Sequence, residues 1–386
     1  MHADKKIKSA LISVYHKDGL DSIVLKLKEL GITFYSTGGT QTFLESLGCK
    51  VTAVESLTTY PSILGGRVKT LHPKVFGGIL GRRDNQGDRE QMAQYEIPEI
   101  DLLIVDLYPF EQTVALGAAE QDIIEKIDIG GISLIRAAAK NFNDVIIVAS
   151  KQQYGKLDTL LAEKKGVSSI EDRKSFACDA FNVSSHYDSA IFNYFNQGNE
   201  GSEKISLTDG KVLRYGENPH QKAVFYPFAN TKLEHTLANS PCLQGKEISY
   251  NNMLDADAAW KSASDAYNAV TNIKNKVAVS VVKHLNPCGL AVAETPMKAL
   301  ELAWAGDPVS AYGGIVCFTC EVDAELANWF SGKFIEIMIA PSYTEEAKEI
   351  LAKKKNLRVL VTPIKPAETG EKMYRSVNGG LLLQDE

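Results

Sequence analysis

The sequence predicts an α/β protein with a parallel sheet in its N-terminal half. Two observations carry this. Short apolar runs rich in strand formers, at residues 9–15, 32–36, 51–54, 101–107 and 145–149, alternate with stretches of helical periodicity. Alternation of this kind joins parallel strands through helices that cover the sheet faces. A third observation sets the domain count. A chain of 386 residues is too long for one ordinary domain. The polar, glycine-bearing stretch 196–204 is its best linker, which gives domains 1–199 and 200–386.

Each element has its own signal. The run 9–15 ends in His16-Lys17-Asp18-Gly19, and apolar residues at 20, 23, 27 and 30 then mark a helix that Gly31 stops. The strand 32–36 leads into Thr37-Gly38-Gly39-Thr40 and a helix over 41–47. Free amides and the positive end of a helix dipole at such a start suit a phosphate, although the string is neither GxGxxG nor a Walker A loop. A Gly-Gly turn before a helix is also often only a turn. Pro109 closes the strand 101–107, so Tyr108 falls at the sheet's carboxyl edge, where parallel sheets bind ligands. Asp128 precedes Gly130-Gly131 and a helix, either as a helix cap or as a buried acid with a task. A long helix spans 171–195.

In the second half, Arg214-Tyr215-Gly216-Glu217-Asn218-Pro219-His220-Gln221 reads as a binding loop or a solvated turn. A polar cluster around Asn252 leads into a helix, and the strand 277–282 delivers Lys283 and His284 to its end. A Lys beside a His can keep the imidazole neutral and basic. Gly313 and Glu336 stand at two further strand-edge turns.

The densest chemistry lies in Leu64-Gly65-Gly66-Arg67-Val68-Lys69-Thr70-Leu71-His72-Pro73. Glycines let a ligand approach the backbone, Arg grips an oxyanion with a planar fork, and Lys adds a compact charge. The alternative is a solvated basic turn. A net charge of -6 argues against nucleic-acid binding. No stretch approaches the roughly 20 apolar residues of a membrane helix, and the polar N-terminus lacks an apolar signal core, which reads as cytoplasmic. Cys317 and Cys320 form a lone CxxC, and Cys288 lacks the partners of a zinc deaminase, so no metal is assigned.

Taken together, these strings resemble the bifunctional family that joins 5-aminoimidazole-4-carboxamide ribotide (AICAR) transformylase to inosine monophosphate (IMP) cyclohydrolase. The resemblance runs through the whole chain. It rests on the 64–73 string, Leu107-Tyr108-Pro109-Phe110, Ile127-Asp128-Ile129-Gly130-Gly131, the 214–221 string, and Lys283-His284-Leu285-Asn286-Pro287-Cys288-Gly289.

The resemblance implies a methylglyoxal-synthase-like first domain that closes formyl-AICAR to IMP with loss of water. There Ser13, Lys17, Thr37, Gly38, Gly39, Thr40, Arg67 and Thr70 hold the ribotide phosphate. Lys69 and Tyr108 serve the oxyanion, while Asp128 and Lys140 move protons. The second region is implied to be part of a cytidine-deaminase-like transformylase domain without a metal. There 10-formyltetrahydrofolate is co-substrate rather than a bound cofactor, and Lys283 and His284 act on the AICAR amine. Arg214, Tyr215, His220, Asn252, Gly313 and Glu336 contact substrate. Family members continue past Glu386, which implies a whole cyclohydrolase site beside an incomplete transformylase site. A homodimer is also implied, with small-molecule partners only. Two rival readings stay open: a phosphoribosyl-binding module without catalysis, and a lyase of the methylglyoxal synthase kind.

Overall fold

A computed structural model describes residues 4–197, 199, 201–228, 236–270, 276–366 and 372–385. Two of the expected linker residues, Gly198 and Glu200, lie outside the described residues. The chain divides into two compact units, Met1–Ser206 and Leu207–Glu386, so the division falls after Ser206 rather than after residue 199. Phe192 and Asn193 of the last helix touch Lys204, and His186 holds Ser206 at 2.8 Å, which ties the expected linker to the first unit.

In chain order the first unit begins with β1 (Lys5–Lys6), β2 (Ser9–Ser13), α1 (Leu20–Glu29), β3 (Thr33–Ser36), α2 (Gly38–Ser46) and β4 (Val51–Ala53). It continues with α3 (Val54–Thr58), α4 (Pro73–Leu80), α5 (Gln86–Gln94), β5 (Leu102–Val105), α6 (Phe110–Ala115) and α7 (Glu120–Ile124). It closes with α8 (Gly130–Lys140), β6 (Ile146–Val148), α9 (Tyr154–Lys164), β7 (Val167–Ser168) and α10 (Ile170–Asn196). The five-stranded sheet has the order β4-β3-β2-β5-β6, and every pairing is parallel.

Alternation along the strands decides which face each residue serves. Ala10, Ile12, Phe34, Leu102 and Ile104 turn to a core shared with Leu20, Ile23 and Leu27 of α1 and with Leu157 and Leu160 of α9. Leu11, Leu103, Val105 and Ile147 turn to the opposite core, with Val75 and Ile79 of α4, Leu134 and Ile135 of α8, and Ala177 and Ala180 of α10. Both sheet faces are therefore dry, and polar residues collect at the strand ends. The helix after Thr37 starts at Gly38, earlier than the periodicity indicated, because Gly38 and Gly39 carry no apolar signal.

The second unit has a mixed six-stranded sheet. Strands Ile315–Phe318, Ile337–Ala340 and Arg358–Val361 run parallel, while Val277–Lys283 joins them antiparallel and pairs with Asn286–Ala293 as a hairpin. Helix Tyr250–Asn268 covers one face through Ala256, Ala259, Trp260 and Ala263. Helices Pro296–Gly306, Ala324–Trp329 and Glu345–Ala352 cover the other.

Candidate active site

The first unit's candidates gather where its sheet ends. Ser13 and Ser36 end β2 and β3, and the chain after β5 carries Asp106 and Tyr108. Above them lies the loop 62–72. Ile63 and Val68 bridge its two sides, and Gly65 and Gly66 turn with φ of +65° and +91°. Only glycine adopts that pair at little cost. The turn drops Lys69 beside the start of α2: a Cβ on Gly38 would lie 3.7 Å from Lys69 Nζ. The next residue, Thr70, sits beside the start of α8, where a Cβ on Gly130 would lie 3.2 Å from its Oγ1. Two successive side chains therefore touch the N-termini of two helices. A helix start carries amides without partners inside the helix and a partial positive charge.

Asp128 stands at the same end of α8. It is 8% exposed, and its Oδ1 accepts from Gly131 N at 2.6 Å. Burial pushes its carboxyl up, against the pull of the Gly131, Tyr108 and Ile132 amides, and the Asp106 charge adds to the rise. Tyr108 is 40% exposed, and burial followed by the Asp128 charge pushes its phenol up, so it stays a hydrogen-bond donor.

Several expected residues have partners within the protein. Thr40 Oγ1 donates to Val14 O at 3.0 Å and accepts from Val14 N at 3.1 Å, so this buried hydroxyl fixes the exit of β2. Thr37 Oγ1 donates to Glu55 Oε1 at 2.7 Å. Lys17 Nζ folds back on Val14 O and Tyr15 O, and Arg67 pairs with Glu125 on the surface. Lys140 is the clearest departure. It ends the 11-residue α8, and at 1.5 Å per residue that puts it about 15 Å along the axis from Gly130. The structure thus sets Lys140 apart from Asp128.

Three groups enter the site that sequence reasoning missed: Asp106, Lys126 and Tyr15. Asp106 accepts from the amides of Tyr15 and His16 and from His16 Nδ1, fixing the loop after β2. Lys126 Nζ lies 5.4 Å from the Tyr15 ring centre and 5.9 Å from that of Tyr108. The edge-on contact of those rings, at 5.6 Å, builds one wall. Asp106 had a signal in the sequence, as an acid at a strand end two residues before Tyr108. Tyr15 and Lys126 had none beyond proximity to marked residues.

In the second unit the candidates are spread. The 214–221 string links strands Lys211–Leu213 and Ala223–Phe225, with the Arg214 guanidinium 5.5 Å from the Tyr215 ring centre. His220 is exposed in the same connection. Asn252 Nδ2 donates to Glu336 Oε2 at 2.7 Å, joining two expected contacts. Gly313 turns with φ +75°, and its N donates to Phe334 O. Lys283 Nζ donates to Tyr312 O at 2.7 Å. His284 and Leu285 form the two-residue hairpin turn, at φ of +56° and +66°, and both are exposed. Such a turn favours Asn-Gly, and holding His and Leu there stores strain. A cleft of about 360 Å³ in this unit is walled by Tyr226, Phe228, Met253, Leu254 and Trp260, with Lys283 and His284 elsewhere.

Comparison with known proteins matches the AICARFT/IMPCHase bienzyme family over residues 138–386 and an MGS-like domain over residues 19–133. The chain belongs to the AICARFT/IMPCHase bienzyme family. The bifunctional purine biosynthesis protein PurH of Bacteroides thetaiotaomicron is 54% identical over 386 residues, covering 100% of this chain and 73% of its own. PurH of Listeria monocytogenes serotype 4b is 45% identical, and PurH of Halalkalibacterium halodurans is 42% identical, each covering 98% of this chain and 73% of its own. Among the described residues, no helix is long and apolar enough to cross a membrane.

Proposed function

We propose that the first unit of this chain closes formyl-AICAR to IMP, the last step of purine-ring assembly. One observation carries the reading: Lys69 and Thr70 lie against the starts of α2 and α8, with Asp128 and Tyr108 at the second of these. The α2 start, with Thr37, Gly38 and Gly39, takes the ribotide phosphate in this reading, and Ser13, Lys17 and Arg67 add to its hold once Lys17 leaves the Val14 and Tyr15 carbonyls and Arg67 leaves Glu125. The carboxamide nitrogen attacks the formyl carbon. An N–C bond forms, the C=O π pair moves to oxygen, and Lys69 and Tyr108 stabilise that oxyanion. Asp128 takes a carboxamide proton and passes it to the new carbinol oxygen. The formamido N–H proton follows, and the oxygen leaves as water. Burial raises the Asp128 carboxyl toward the range in which such transfers are efficient. Lys140 has no part in this geometry.

The second unit supplies part of a transformylase site, in which Asn252 and Glu336 form one joined pair, Lys283 ends a strand and His284 stands in the exposed hairpin turn that follows. AICAR and 10-formyltetrahydrofolate are its substrates in this reading, and the working assembly is a homodimer in the cytoplasm. Catalysis of ring closure is favoured over a passive ribotide-binding module because phosphate binding alone needs neither a buried carboxyl nor a phenol beside it. Chromatography of formyl-AICAR incubated with the chain tests the choice. IMP as product supports closure, and unchanged formyl-AICAR retained by the protein refutes it in favour of the module.

A further inference from the structure

The residues 126–128 carry two groups of the site: Lys126, whose amino group lies over the Tyr108 ring, and Asp128. Lys126 N and Ile127 N tie the segment to Ile123 O and Ile124 O at the end of α7, and one buried side chain from α10 bridges its backbone. Tyr187 Oη, on α10, donates to Lys126 O at 2.5 Å and accepts from Asp128 N at 2.9 Å. The hydroxyl thus spans the peptide groups on either side of Ile127. Tyr187 is 6% exposed, and its ring meets Phe110 edge-on with centres 6.2 Å apart. Phe110 and Ile123 complete that small core, against which Ile127 and Ile132 also pack. Burial pushes the phenol up to about 12, so the bridge keeps its proton through the physiological range.

We propose that Tyr187 is a positioning residue for ring closure: its hydroxyl clamps the Lys126–Asp128 turn and so fixes the Asp128 carboxylate relative to Tyr108 and the start of α8. The inference rests on the reading of the site as a cyclohydrolase. The phosphate anchors lie on other elements, at the start of α2 and in the 62–72 loop, and Tyr187 touches none of them. Loosening the turn therefore displaces the proton-transfer group and leaves the ribotide's main hold in place. Misplacement of a reacting group by about 1 Å costs on the order of 100-fold in rate.

The test compares three full-length variants in conversion of formyl-AICAR to IMP. Tyr187→Phe keeps the ring and removes the bridge. The expected result is a kcat about 10- to 100-fold lower with KM within about threefold of wild type. Phe110→Leu loosens the same core but keeps the hydroxyl, and its kcat stays within about threefold of wild type. Replacing Tyr187 with 3-fluorotyrosine keeps both hydrogen bonds and restores kcat. Wild-type kcat in Tyr187→Phe overturns the inference, as does an equal loss in Phe110→Leu or a failure of 3-fluorotyrosine to rescue. Absence of closure by the wild-type chain overturns the reading of the site and this inference with it.

Discussion

Asp128→Asn separates what Asp128 does for chemistry from what it does for the fold. In the fold it caps α8 through Gly131 N, and Asn caps a helix about as well as Asp. In the proposed reaction it carries a proton, which Asn cannot. Removing a positioned acid–base group costs about 10²–10⁴-fold in kcat, which is roughly 3–5 kcal/mol of barrier. Stability moves the other way. Burial raises the folded-state pKa of Asp128 above the unfolded value, about 3.9. The folded state then binds the proton more tightly. The buried charge lowers stability as pH rises from the unfolded value through the folded one, and that loss is complete above it. Asp128→Asn carries no such charge, so it is at least as stable as wild type at pH 7, and any advantage disappears below about pH 4. The assay pairs kcat for formyl-AICAR with urea midpoints at pH 7 and pH 3.5. A kcat within threefold of wild type refutes the proton-transfer role. A variant markedly less stable than wild type at pH 7 refutes the account of the buried charge.

Three other perturbations follow from the same geometry. Tyr108→Phe removes one donor of the proposed oxyanion site and lowers kcat about 100- to 1000-fold with little change in folding, checked by steady-state kinetics and thermal melting. Glu125→Gln releases Arg67 from an exposed ion pair worth at most about 1 kcal/mol, so KM for the ribotide falls by up to about fivefold and the effect fades at high salt. Gly66→Ala forces a Cβ to 2.9 Å from Lys69 Cε at φ +91°; it costs about 1 kcal/mol or more in urea unfolding and lowers kcat by displacing Lys69.

Much of the first unit was legible because its sheet is covered on both faces. Strands there read as short apolar runs, and the rule that ligands sit at carboxyl edges then picks out Ser13, Thr37 and Tyr108 without coordinates. Lys69 and Asp128 stood out as polar groups beside paired glycines. What stayed hidden depends on tertiary contact. Tyr187 meets Asp128 across 59 residues, and a tyrosine inside an amphipathic helix looks like ordinary core. Thr40 looked like a phosphate ligand because its pairing with Val14 is long-range. Lys140 was grouped with Asp128 by resemblance to the family, and it stands at the far end of the 11-residue helix that begins at Gly130. The hairpin turn at His284 and Leu285 was missed because neither residue is a turn former, so a strand end was expected where the chain reverses.

The most direct test of the central claim is a paired measurement on Lys69→Ala: kcat for absorbance-monitored IMP formation from saturating formyl-AICAR, and IMP binding by calorimetry. In the proposed reaction Lys69 serves the oxyanion; its amino group lies beside the start of α2, which takes the phosphate in the same reading. The account predicts IMP formation by wild type, its loss by at least 100-fold in Lys69→Ala, and measurable IMP binding in both. Wild-type turnover in the variant, or none in wild type while IMP still binds, contradicts it.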